Sequence, residues 1–134
     1  MIGQEKILKY INEHIDTLPH FIILVAPKGC GKRTIAKVIA EKQGATYAPC
    51  GVKVEEIREM INTANTVNGK VLYCIENADN MSLMAKNALL KITEEPPKNA
   101  YIVMTVQNDS TLLPTIKSRG TVWHLERYKP SEID

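Results

Sequence analysis

The chain has 134 residues, with 17 Lys and Arg against 15 Asp and Glu for a net charge of +2, and is 44% hydrophobic and 24% charged. That length and composition predict one compact domain with a single core, and argue against a disordered tail or a fibrous repeat. The near-balance of charge argues against a dedicated nucleic-acid surface, and five Tyr, one Trp and one Phe are too few for a platform that stacks on single strands.

Ile7, Ile11, Ile15 and Leu18, with Leu8 beside them, recur at helical spacing and predict an amphipathic helix from residue 4 to about 17, ended by Pro19. Phe21–Ala26 is apolar on both faces, as in a strand inside a parallel sheet. It is also the longest apolar run, six residues against the roughly twenty that cross a bilayer. A glycine-rich turn, Pro27–Lys32, follows; a helix then runs through Ile35, Ala36, Ile39 and Ala40 to a stop at Gly44. Ala45–Ala48 reads as a short strand, and Val54, Ile57, Ile61 and Ala64 as a second amphipathic helix. Asn68-Gly69 turns the chain into an apolar strand, Val71–Ile75. Met84, Ala85, Ala88, Leu89 and Ile92 define the next helix, stopped by Pro96-Pro97. Tyr101–Val106 is a fourth strand, Leu112–Ser118 a short helix and Thr121–Leu125 a fifth strand. Helices alternating with buried strands predict a three-layer αβα domain around a five-stranded parallel sheet.

The turn after the first strand matches a phosphate-binding loop, G-x-x-x-x-G-K-[ST] between strand and helix, over Ala26–Arg33. Backbone amides of such a loop surround phosphate oxygens, the helix N-terminus adds positive potential, and the lysine reaches the terminal phosphates. Gly29, Gly31 and Lys32 fit, with Cys30 between them. Ala26 replaces the first glycine, where a β-carbon is expected to crowd the turn. Arg33 stands where a hydroxyl should hold magnesium, and Thr34, one residue on, lies about 100° further round the helix. Such ATPases also need an acidic residue at the end of a second strand and a neighbouring base. The candidates are Glu76, which offers metal contact through water, and Asn77, whose amide accepts no proton near neutral pH. Asp79 reads as a cap on the loop that follows.

Longer blocks carry a resemblance. Ile2-Gly3-Gln4 opens the chain, and Leu18-Pro19-His20 precedes the first strand. Glu76-Asn77-Ala78-Asp79-Asn80-Met81 stands against a D-E-A-D-x-M pattern. Lys86 to Pro97 contains N-A-L-L-K-x-x-E-E-P-P, and Leu112 to Gly120 stands against L-P-T-I-x-S-R-C. Together these resemble the N-terminal AAA+ P-loop module of bacterial DNA polymerase III clamp-loader subunits, the delta-prime branch above all.

The resemblance implies a P-loop NTPase fold and membership of a hetero-oligomeric ring, with other clamp-loader subunits as partners. Through the ring, the chain would meet a sliding clamp and primed DNA. It implies that Arg119 acts as an arginine finger in trans, on ATP held by a neighbour, while the chain's own site is degenerate. Gln107 falls near the family's sensor position. Gly120 replaces the cysteine of the S-R-C block, and only Cys50 lies where the family carries a zinc module. On this resemblance 1–126 form the AAA+ domain and 127–134 a tail or the start of a linker, with the helical lid absent.

Cys30, Cys50 and Cys74 are an odd count at spacings that suit neither a disulfide framework nor a zinc pair, and the N-terminus lacks the pattern of a secretion signal. No membrane partner and a cytoplasmic location are the resulting expectations. Three activities remain open from the residues: a ring partner that hydrolyses nothing, a slow Mg-ATPase relying on Lys32 and Glu76, and a sensor. In the last, Gly29, Gly31, Lys32 and Arg33 hold ATP or ADP without cleavage, Arg33 standing in for part of the metal's charge.

Overall fold

The computed structural model describes residues 5–14, 17–27, 31–66, 69–94, 97–108 and 114–124, with residues 5–8 as backbone only. The first half runs α1 (Glu5–Glu13), β1 (Phe21–Val25), α2 (Lys32–Gln43), β2 (Thr46–Cys50) and α3 (Val54–Ala64). The second half runs β3 (Val71–Ile75), a 3-10 turn (Ala78–Asn80), α4 (Leu83–Glu94), β4 (Ala100–Val106), α5 (Pro114–Arg119) and β5 (Thr121–His124). The strands form one parallel sheet in the order β2-β3-β4-β1-β5. The three-layer αβα expectation holds.

Alternate residues of each buried strand face opposite layers. Ile22, Leu24, Leu72, Cys74 and Val103 pack against Ile11 of α1 and against Ile35, Ala36, Ile39 and Ala40 of α2. Ile23, Tyr73, Ile75, Ile102 and Met104 face α3 through Ile57 and Met60, α4 through Leu89 and Ile92, and α5 through Ile116. Because β1, β3 and β4 are covered on both sides, they are apolar at nearly every position, Thr105 of β4 being the exception, which is the pattern the sequence carries.

Two details differ from expectation. β2 continues through Pro49 to Cys50; it is an edge strand, where the missing proline N–H disrupts no ladder. Met84 lies off the buried face of α4, 59% exposed, and the face is instead Ala85, Leu89, Ile92 and Thr93. Tyr101 and Trp123 are half-buried: Tyr101 stacks on His20 at 4.5 Å, and Trp123 meets the edge of Tyr10 at 5.7 Å. Among the described residues no helix is long and apolar enough to cross a membrane. The segment 125–134, with the domain boundary expected there, lies outside the described residues.

Candidate functional site

In open parallel sheets the crevice beyond the carboxyl ends of the strands is where ligands bind. Here Ala26 follows β1, Lys32 and Arg33 open α2, Glu76 and Asn77 follow β3, and Gln107 follows β4. Gly29 and Cys30 lie outside the described residues, as does Lys28. Gly31 has φ 76° and ψ 27°, a left-handed conformation that costs glycine nothing, so this motif position requires it. Ala26 is accommodated where crowding was expected. It is 2% exposed in the core under α1 and α2, and its N–H donates to Val106 O at 3.1 Å.

The ammonium of Lys32 donates to Ala26 O at 2.6 Å and to Pro27 O at 3.3 Å, across the end of β1. Thr34, next to Arg33, is exposed. Arg33 reaches over to β3. Its Nε donates to Oε1 of Glu76, and its Nη2 donates to Oε2 at 3.0 Å. This is the two-pronged geometry that a planar guanidinium and a carboxylate prefer. The hydrogen bond first, and then the carboxylate's charge, raise the Arg33 pKa further above its ordinary value. The sequence offers Glu76 as a metal contact through water; here both its oxygens face Arg33. A guanidinium has donors only, so the magnesium ion that the fold implies does not fit this pair as it stands.

Asn77 has φ 56° and ψ 46°, the one positive φ at a non-glycine among the described residues. Asparagine tolerates this region better than most. Its N–H donates to Oγ1 of Thr105 at 3.0 Å, and Thr105 is 3% exposed. Asp79 accepts from the N–H of Gln107 at 2.9 Å and of Asn108 at 3.3 Å. It therefore caps the end of β4 rather than the loop after its own strand. Thr105 and this use of Asp79 escape the sequence reading, since a threonine inside an apolar strand gives no signal except its hydroxyl. The Gln107 side chain is exposed at the rim.

Arg119 is elsewhere. It ends α5 just before β5, and β5 pairs in parallel with β1 in the register Ile22↔Thr121. Lys32 lies past the other end of β1, so at about 3.3 Å of rise per residue the length of the strand separates the two. Nη2 of Arg119 donates to Oε1 of Glu94 at 3.1 Å, the two side chains being 43% and 53% exposed. An ion pair this open to solvent is readily exchanged.

Among the described residues no three His, Cys, Asp or Glu converge to hold a metal. Burial pushes the thiols of Cys50 and Cys74 up to about 11, so both are protonated near neutral pH.

Comparison with known proteins adds a lineage to this geometry. The sequence profile of a family described as DNA polymerase III, delta subunit, matches residues 49–129. DNA polymerase III subunit gamma/tau of Mycobacterium bovis is 25% identical over an alignment of 154 residues, covering 89% of this chain and 27% of that protein. Subunit delta' of Haemophilus influenzae is 37% identical over 73 residues, 54% of this chain and 22% of that protein. A solved DNA polymerase III gamma-subunit-related protein of Thermotoga maritima superposes with a TM-score of 0.74 at 23% identity, over 91% of this chain and 46% of that one. That likeness shows the fold. The chain spans about a quarter of the length of the two curated relatives, 27% and 22%.

Proposed function

Since the chain belongs to the DNA polymerase III delta-subunit family, a family of clamp-loader AAA+ proteins, we propose that it is a delta-prime-like module of a clamp loader. In this reading it hydrolyses nothing itself and supplies Arg119 to ATP held by the next subunit of the ring. The ring as a whole loads a sliding clamp on primed DNA. The observation that carries the reading is the position of Arg119: exposed, loosely paired to Glu94, and a full strand length from its own Lys32. From there it serves a neighbour's nucleotide, not its own. A guanidinium beside a transferring phosphoryl group neutralises the charge that develops in the transition state, an effect worth roughly 10³–10⁵ in rate. Asn77 supports the same reading, because an amide cannot take the proton of an attacking water.

Assembling the full-length protein with its ring partners tests this. Arg119→Ala is expected to reduce clamp-stimulated ATP turnover at the facing site by roughly 10³-fold or more, with ring assembly by gel filtration unchanged. An unaltered rate overturns the finger role.

A second reading, a nucleotide-binding or slowly hydrolysing gamma/tau-like subunit, draws support from the match to gamma/tau over 89% of the chain. Metal-dependent ATP turnover by the isolated protein that disappears in Lys32→Ala would favour it over the first.

A further inference from the structure

The magnesium ion of a phosphate loop has two protein anchors, a hydroxyl directly after the loop lysine and a carboxylate at the end of a second strand. In this chain those two positions, Arg33 and Glu76, are bound to each other by two hydrogen bonds. We infer that the Arg33–Glu76 ion pair takes the seat of the divalent cation, so that a phosphate group on the Lys32 loop is held without metal. This rests on the phosphate-loop reading of Ala26–Arg33 and is independent of the role of Arg119.

Three physical points carry it. First, metal ligands are acceptors, and replacing the hydroxyl by a guanidinium removes one acceptor and adds a fixed cation. Second, the remaining acceptor, the Glu76 carboxylate, has both oxygens engaged. A magnesium ion would have to displace a tethered, permanently charged partner while giving up water that it releases reluctantly. Third, the charges differ. A magnesium ion and a carboxylate together add one net positive charge beside the phosphates, whereas the Arg33–Glu76 pair adds none. Lys32 then carries the positive charge at the described part of the loop, and the Arg33–Glu76 pair offers a metal no protein anchor.

Arg33 is itself exposed, its side chain 65% accessible against 28% for Glu76, so the fold does not depend on it and the test variant keeps its structure. Nitrogen-15-labelled protein is mixed with excess ATP and titrated with Mn²⁺, a paramagnetic substitute for Mg²⁺. Amide broadening at Asn77 and Thr34 is compared with that at Ile92, under the far face of the sheet. In the natural protein the broadening is expected to be equal at all three. In Arg33→Thr it is expected to rise severalfold at Asn77 and Thr34, and to fall back to parity when Glu76→Gln is added. Selective broadening in the natural protein overturns the inference. So does an Arg33→Thr variant that stays unbroadened, since Arg33 is then not what keeps the metal out. Either result leaves the ring assay of Arg119 to stand or fall by itself.

Discussion

At Gly120 a β-carbon would lie 3.0 Å from Ile23 Cδ1 and 3.0 Å from Phe21 Cδ2. Both neighbours are buried, at 0% and 5% exposure, and a close-packed core yields to added volume only at a cost. Gly120→Ala is therefore expected to lower stability by about 1–3 kcal/mol, seen as a reduced urea midpoint at unchanged slope. The cysteine that the resembling family carries here needs a wider gap between α5 and β1 than this chain leaves. The same scale explains Asn77. Its left-handed backbone selects asparagine among polar residues, and the buried Thr105 hydroxyl holds it there. The residue that fails as a base is thus well chosen for its turn.

Between elements, the turn after β3 is tied to the end of β4 and the turn beyond it by two links, Asn77 to Thr105 and Asp79 to Gln107 and Asn108. β3 and β4 are neighbours in the sheet, so these links extend the ladder past its last strand pair and set the relative height of Glu76 and Gln107 at the crevice. Asp79→Ala removes a charged acceptor from two backbone donors. A loss of about 1–3 kcal/mol is expected, with faster amide exchange at Gln107 and Asn108 as its local signature. The helices show how an apolar pattern misleads by one position. Met84 and Leu83 are 59% and 62% exposed at the start of α4, where Ser82 Oγ caps the N-terminus by accepting from the Ala85 N–H at 3.1 Å. Spacing identifies the helix there, but its rotation is fixed by packing.

For the molecule as a whole, the core sets a limit on alkaline stability. Cys74 is wholly buried in β3, and burial raises its pKa from 9.0 to about 11; Cys50 moves the same way. The folded chain therefore keeps thiol protons that the unfolded chain releases above pH 9. By linkage this contribution is intact below pH 9 and is lost as pH rises toward 11. The urea midpoint is expected to fall across that window, and to fall less steeply in Cys74→Ala. An equal slope in the variant would show that other groups govern the alkaline limit.

How far the sequence reaches depends on how far apart in the chain the deciding residues lie. Strands and helices follow from patterns a few residues long, because burial on two faces and helical spacing are local constraints. So the αβα class was legible, as was the placing of Lys32 at the start of α2 and of Glu76 just past β3. Ala26 sitting quietly in the core, Pro49 inside a strand and Asp79 capping the far turn were not. Each depends on which strand lies at an edge or beside another, and that order, β2-β3-β4-β1-β5, is encoded in no single segment. The Arg33–Glu76 pair is the clearest instance. The sequence shows two odd residues 43 positions apart; only the sheet brings them to one crevice, where their opposite charges find each other.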